Sequence, residues 1–206
     1  MSSSVIASLA EPSFVSSGTE STRRRLSAKQ ARTVQSLVVA VVEELRSGGY
    51  GNLSVRNVAS RAGVAPATAY TYFTCKEHLV TEVFWRRLLQ LDETAVDRRR
   101  SAVHRVSATM ADIALLVADE PELASACTAA MLADDPDVKF LRDRIGAEMR
   151  RRMVKALGVQ ADPEVLRTLE FVISGALLHA GVGHMTYTEL PEYLAEAVHL
   201  VVPHGR

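Results

Sequence analysis

Residues 54–76 read SVRNVASRAGVAPATAYTYFTCK and decide how the N-terminal part of the chain folds. Ser54 is a favourable helix N-cap, and a short helix is expected to follow it as far as residue 62. Gly63 can adopt the left-handed backbone conformation that a tight turn requires. A second short helix is predicted over Pro66–Phe73, because proline is well tolerated in a first helical turn. Two short helices around a tight turn have the geometry of a helix-turn-helix.

The outer side of the second helix favours contact with DNA. Its residues are small, hydroxyl-bearing or aromatic, and none is acidic. Small residues allow close approach to base edges, while hydroxyl and ammonium groups bind phosphates. The candidate DNA-binding residues are Ser54, Arg56, Ala65, Pro66, Ala67, Thr68, Tyr70, Thr71, Tyr72 and Lys76. The alternative is an ordinary helix pair inside a bundle.

This segment resembles the DNA-binding domain of the tetracycline-repressor (TetR) family of bacterial regulators, over about residues 28–79. The positions that carry the resemblance are Ser54, Val58, Ala59, Ala62, Gly63, Val64, Thr68, Tyr70, Tyr72, Phe73 and Lys76. Ala65, Ala69 and Cys75 depart from the family pattern, which leaves the operator sequence open. The resemblance implies a repressor that binds palindromic double-stranded DNA as a homodimer, and that a small-molecule effector releases.

The net charge of the whole chain hides an uneven distribution. The 206 residues include 24 Lys and Arg and 24 Asp and Glu, and this balance alone disfavours a nucleic-acid-binding protein. Residues 21–76, however, contain nine basic and two acidic residues and carry +7, whereas residues 77–206 carry −5. We therefore expect a basic DNA-binding part on a mildly acidic remainder.

Helical signals continue along the chain without a convincing strand pattern, so the predicted fold class is all-α. A first helix is expected to begin at a Ser27–Gln30 capping box and to end at Gly48-Gly49. A long helix is expected to begin at a second capping box, Thr74 with Glu77, and to run towards Arg98. Further helices are predicted at about 103–118, 121–133, 137–157, 163–183 and 190–202.

Three segments follow from this pattern. Residues 1–26 are predicted to form a flexible arm, in which Arg23–Arg25 is either a minor-groove contact or a solvated basic tail. Residues 27–75 are predicted to form a three-helix helix-turn-helix DNA-binding domain. Residues 76–206 are predicted to form a helical ligand-binding and dimerisation domain.

The resemblance places an effector pocket and a dimer interface in the C-terminal domain. Residues 171–188 and 190–202 are expected to pair with the same helices of a second copy, although an internal core helix is the alternative for the first. Effector pockets are lined mainly by apolar side chains, although any one of these can simply fill the core. The candidates are Trp85, Leu89, Met110, Ile113, Met131, Phe140, Phe171 and Leu178.

Other chemistry has little support in the sequence. The glycine-containing motifs of hydrolases, P-loop proteins and dinucleotide-binding proteins do not occur, so we expect no catalysis and no cofactor. His179 and His184 are five residues apart, a poor spacing for helical metal ligands, and no metal site is expected. Cys75 beside Lys76 suggests a thiol of lowered pKa and a redox sensor, but a structural thiol is favoured.

Two further expectations concern location and alternative functions. No segment is long and apolar enough to span a membrane, and no signal peptide is recognisable, so a cytoplasmic protein is expected. The rival function is a helical small-molecule-binding or enzymatic domain that does not bind DNA. A closer variant is an activator that uses the same DNA-binding residues.

Overall fold

The computed structural model describes residues 27–92 and 99–203, which form α-helices and two 3-10 turns. The helices are α1 Ala28–Asn52, α2 Val55–Arg61, α3 Pro66–Tyr70, α4 Lys76–Gln90, α5 Ala102–Ala114, α6 Pro121–Met131, α7 Pro136–Leu157, α8 Pro163–Gly181 and α9 Leu190–Val201. The 3-10 turns are Leu115–Val117 and Gly158–Gln160. No strand occurs within the described ranges, and the predicted all-α class is confirmed. The predicted arm, residues 1–26, lies outside these ranges.

Capping residues set most helix starts where the sequence predicts them. Ser27 and Gln30 form the expected capping box: the Ser27 N–H donates to Gln30 Oε1 (2.8 Å), and the Gln30 N–H donates to Ser27 Oγ (3.3 Å). Asp135 and Asp162 each accept hydrogen bonds from two backbone N–H groups at the start of a helix that begins with proline. These local signals fix the boundaries because they satisfy N–H groups that have no partner within the helix.

The start of α4 corrects one expectation. Thr74 is not the N-cap; Cys75 is, and its Sγ accepts a hydrogen bond from the His78 N–H at 3.4 Å. The Glu77 carboxylate does not close a capping box, because it accepts a hydrogen bond from the hydroxyl group of Tyr50 at 2.9 Å. The helix also ends at Gln90 instead of continuing towards residue 98.

Gly49 interrupts α1 where the sequence predicts that the first helix stops. Its φ of +67° lies in the left-handed region, which glycine adopts without the steric cost of a side chain. A final helical turn then follows as far as Asn52. This change of direction lets Tyr50 contact the first turn of α4.

Helices α1–α3, called the head below, pack around one apolar stripe. The stripe of α1 is buried against α2, α4 and α6. The buried residues of the head include Val34, Leu37, Val38, Val41, Leu45, Val55, Val58, Ala59, Ala69 and Phe73. Their 3.6-residue period on α1 is the pattern from which the sequence predicts this helix.

Helix α4 connects the head to α5–α9. Helices α4–α9, over residues 76–201, are called the body below. Nearly every side of α4 is covered, because α1 packs on it together with α6 and α7. In the body, α9 lies along α5, and α8 contacts α6, α7 and α9. None of the described helices has both the length and the apolar character needed to cross a bilayer.

Candidate nucleic-acid interface

The turn between α2 and α3 is held by backbone and capping hydrogen bonds. Ser54 Oγ accepts from the Asn57 N–H at 3.1 Å, as a helix N-cap does. Gly63 has a φ of +66°, and the next residue, Val64, donates its N–H to the Ala59 carbonyl at 2.9 Å. These contacts hold α3 at a defined angle to α2 and leave its outer side uncovered.

Helix α3 presents the surface that the sequence predicts. Ala69 is buried beneath it, while Ala65, Pro66, Ala67, Thr68, Tyr70 and Thr71 are all exposed. Tyr70 extends furthest, with 53% of its surface accessible. Tyr72 is different, because it is half-buried against the core and has less surface available to a partner. Thr71 Oγ1 donates to the Thr68 carbonyl at 2.6 Å, which restrains its hydroxyl group at the end of α3.

Lys76 lies at the first position of α4 and is held by Tyr50. Its Nζ donates to the Tyr50 carbonyl at 3.0 Å and lies 4.2 Å from the centre of the Tyr50 ring. The Tyr50 hydroxyl donates in turn to Glu77, and burial together with this carboxylate raises the pKa of Tyr50. An ammonium group has three N–H donors, so Lys76 retains donors for a phosphate. The sequence gives no signal for this role of Tyr50, because the contact joins residues 26 positions apart.

Three basic residues of the head, Lys29 and Arg32 on α1 and Arg56 on α2, have exposed side chains. Arg61 faces α1, where its guanidinium pairs with Glu44 and also donates to Ser47 Oγ at 3.1 Å. Glu43, the other acidic residue of the head, also lies 4.0 Å from Arg61. Both carboxylates of the head are therefore near the same guanidinium.

Cys75 does not have the lowered pKa that the sequence suggested. Desolvation by burial raises the pKa of its thiol, and the hydrogen bond from the His78 N–H only partly offsets this effect. Lys76 does not lower it, since the ammonium lies over Tyr50. The thiol acts as the N-cap of α4, which is a structural role.

The candidate effector-binding residues do not all face the same way. Trp85, Met110 and Ile113 are buried in the body, and Leu89 and Met131 are half-buried. Phe140 lies at the surface of α7, while Phe171 and Leu178 lie on the outer side of α8, with Phe171 73% exposed. Helix α8 buries Leu166, Leu169 and Ile173 instead. Phe171 and Leu178 therefore do not line the interior of the body.

The body also holds polar side chains that the sequence did not single out. The guanidinium of Arg144 stacks 4.6 Å from the centre of the Trp85 ring. Glu82 is fully buried on α4, one turn before Trp85. The rings of His179 and His184 lie 5.3 Å apart, but the described part of the chain contains no group of three or more potential metal ligands.

The sequence and fold resemble those of known regulators. Residues 37–83 match the family described as bacterial regulatory proteins, tetR family. Over 176 residues the chain is 44% identical to an uncharacterized HTH-type transcriptional regulator of Mycobacterium tuberculosis (strain ATCC 25618 / H37Rv), covering 84% of this chain and 82% of that protein. It is 28% identical over 156 residues to the HTH-type transcriptional repressor KstR of Rhodococcus jostii (strain RHA1), covering 75% and 74% of the two chains.

A solved structure shares the fold. The transcriptional regulator FadR from Bacillus subtilis, crystallised in complex with stearoyl-CoA, superposes with a TM-score of 0.62 at 18% sequence identity. The match covers 79% of this chain and 96% of FadR. The N-terminal helix-turn-helix and the C-terminal helical domain are therefore arranged as in known regulators.

Proposed function

Because this chain belongs to the tetR family of bacterial regulatory proteins and is a DNA-binding transcription regulator, we propose that it is a cytoplasmic repressor that binds palindromic operator DNA as a homodimer and is released by an apolar small molecule. The proposal divides the chain into a DNA-binding domain over residues 27–75 and a ligand-binding and dimerisation domain over 76–206. The 28% identity to KstR, a repressor, favours repression over activation.

The observation that carries the DNA-binding part is the exposed, acid-free surface of α3 beside Lys76. Small residues at the start of α3 permit close approach to base edges in the major groove. Tyr70 and Thr68 are exposed and can donate hydrogen bonds to phosphates, and the ammonium of Lys76 lies at the start of α4, where the helix dipole also favours an anion.

The apolar outer surface of α8 and α9 supports the homodimer. Its exposed apolar residues are Phe171, Leu178, Tyr193 and Leu200, together with Val182 directly after α8. Single exposed apolar residues are common, but several on two adjacent helices are typical of a protein–protein interface. A two-fold symmetric dimer through this surface would present two copies of α3, as a palindromic site requires.

The effector part is supported by the FadR structure, which contains stearoyl-CoA. This chain has a similar helical fold and buries Trp85, Met110 and Ile113 on α4 and α5. An effector that binds the DNA-incompetent form more tightly lowers the affinity for DNA through the coupling between the two equilibria.

The DNA-binding part is tested by titrating the DNA upstream of its own gene at several salt concentrations. The logarithm of the binding constant is expected to fall with a slope of about −0.9 per neutralised phosphate. Lys76→Ala, which removes one contact from each subunit, is expected to make the slope less steep by about 1.8. Tyr70→Ala is expected to weaken binding at every salt concentration.

Lys139→Ala is the matched control for Lys76→Ala. Lys139 lies on the exposed side of α7, where it pairs with Asp143 at 2.6 Å, and its replacement should leave the slope unchanged. Binding that does not depend on salt, or wild-type binding by both Tyr70→Ala and Lys76→Ala, contradicts the proposal.

The dimer is tested by sedimentation equilibrium of Phe171→Glu and Leu200→Glu. A charge on a buried apolar interface is costly, so both variants are expected to sediment as monomers. Val159→Glu changes an equally apolar and fully exposed residue outside α8 and α9, and should remain dimeric. Dimers of unchanged stability in all three variants would show that another surface joins the subunits.

A further inference from the structure

Two buried polar atoms on α4 have no hydrogen-bond partner. Glu82 is 0% exposed and Trp85 is 4% exposed, yet neither Glu82 Oε2 nor Trp85 Nε1 is hydrogen-bonded within the described residues. Buried polar side chains are nearly always paired, because an unpaired one loses its hydration without compensation. Two such atoms on residues one helical turn apart therefore point to a place where a polar group of another molecule binds.

The two side chains lie on the same face of α4. Residues three positions apart on a helix are neighbours, so Glu82 and Trp85 are one turn apart and project to the same side. Arg144 of α7 stacks on the face of the Trp85 ring at 4.6 Å, which leaves the edge with its N–H group for a polar contact. Leu89, one turn further along this face, supplies half-buried apolar surface.

The polarity of the two atoms selects the chemistry of the partner. A carboxylate oxygen accepts a hydrogen bond, and an indole N–H donates one. A hydroxyl group does both, whereas a ligand carboxylate is repelled by Glu82 and an ammonium group offers no acceptor to Trp85. We propose that Glu82 and Trp85 bind the hydroxyl group of an otherwise apolar effector, an inference that rests on the effector-responsive function proposed above.

The other oxygen of the same carboxylate connects this site to the head. Glu82 Oε1 accepts from Arg86 Nε at 2.7 Å, and Arg86 Nη1 donates to Gln35 Oε1 on α1, also at 2.7 Å. A hydroxyl group bound at Oε2 thus shares its carboxylate with a hydrogen-bond chain that ends on α1. Occupation of the site can therefore act on α1, the helix against which α2 packs.

The first test uses 1-decanol and its methyl ether as probes. The ether keeps the oxygen acceptor but lacks the hydroxyl donor, so it cannot donate a hydrogen bond to the Glu82 carboxylate. Because a hydrogen bond to a charged acceptor is lost, the wild-type protein is expected to bind 1-decanol about tenfold more tightly than the ether. Trp85 is the only tryptophan of the chain, so its indole N–H gives one side-chain resonance in a ¹⁵N-correlated NMR spectrum. That proton should shift downfield with 1-decanol.

Variants test the two residues separately. Glu82→Gln is expected to lose the preference for 1-decanol over the ether, because an amide NH₂ can donate to either oxygen. Trp85→Phe is expected to weaken both probes about tenfold, since both oxygens accept from the indole. Thr81→Val is the control: Thr81 is buried on the same helix, but its hydroxyl already donates to the Glu77 carbonyl at 2.8 Å, so both probe affinities should stay within about twofold.

Three results overturn the inference: no binding of 1-decanol, equal wild-type binding of the two probes without a downfield indole shift, or a Glu82→Gln variant that keeps the preference. The wild-type measurements stand even if a variant does not fold. Binding of the protein to operator DNA without probe is measured in parallel. Its failure counts against the proposed function, whereas DNA binding together with any of the three results counts against this site alone.

Discussion

The contact between α6 and α8 makes Gly181→Ala a sharp test of the packing. A Cβ atom at Gly181 would overlap Thr128 Oγ1 and would lie 2.6 Å from the Thr128 Cβ and 2.7 Å from its Cγ2. Thr128 cannot easily turn away, because its hydroxyl contacts the Tyr187 hydroxyl at 3.3 Å. The two helices must therefore move apart. Overpacking of this kind costs about 2 kcal/mol, which for a domain of this size lowers the Tm by roughly 4–8 °C.

The assay is thermal and urea unfolding followed by circular dichroism, at one protein concentration because the proposed dimerisation would also affect the Tm. Gly146→Ala is the matched control: Gly146 is exposed within α7, a Cβ atom added there would meet nothing within 4 Å, and better helix propensity should stabilise by about 0.5–1 kcal/mol. Thr128→Ala in the Gly181→Ala background should restore only part of the loss, because the Thr128 Cβ remains. A Gly181→Ala variant that unfolds like the wild type refutes the close contact.

Three further predictions concern single side chains. Ser54→Ala removes the N-cap of α2 and should lower the free energy of unfolding, measured by urea titration, by about 1 kcal/mol. The control Ser60→Ala, on the exposed side of the same helix, should change it by less than about 0.5 kcal/mol. Burial lowers the pKa of His78, so as the pH falls the unfolded chain binds a proton at this residue before the folded protein does. The free energy of unfolding should therefore decrease below about pH 6.5, and His78→Gln should reduce this decrease between pH 7.5 and 5.5. Equal decreases in the unfolding free energies of wild type and variant would contradict the prediction. Burial raises the pKa of Cys75 and raises that of Cys127 to about 12, so both thiols should react with a disulfide reagent at pH 8 more slowly than free cysteine. Rapid labelling of Cys75, identified by peptide mapping, would contradict its structural role.

The fold of the head could be predicted because its signals are local. The cap at Ser54, the left-handed Gly63 and the proline that begins α3 each act within a few residues, and each is found where the sequence places it. The cap of α4 was assigned to the wrong residue because two neighbours can both accept a hydrogen bond. Which one does depends on Tyr50, a distant residue that takes up the Glu77 carboxylate.

The candidate effector residues were harder to predict, because apolar composition does not reveal which face of a helix meets the core. Helix α8 carries apolar residues on several sides, and its packing against α6, α7 and α9 decides that Ile173 is buried while Phe171 is exposed. Glu82 was missed for the opposite reason. A charged residue on an otherwise amphipathic helix is expected at the surface, and only the tertiary structure buries it.

The ion pairs of the head show which of its basic residues are paired with carboxylates and which are exposed. Arg61 pairs with Glu44 across α1 and α2, so this cation holds the head together. The net charge of the segment is unaffected, but its two acids both lie within 4.0 Å of Arg61, while Arg56 and Lys29 remain exposed. The exposed cations of the head are therefore the ones that can attract a phosphate.

Arg46 has a different role from the other basic residues of the head. Its guanidinium lies 3.1 Å from Glu120, the residue that precedes α6, and Glu120 also pairs with Arg87 of α4. The side chain of Glu120 is 10% exposed, so losing one of its two cationic partners leaves a largely desolvated carboxylate less well compensated. Arg46 thus connects α1 to the start of α6. If the chain responds to an effector as proposed above, a displacement of α6 is expected to act through Arg46 on the orientation of α1, and with it on α2, which packs on α1 and carries α3.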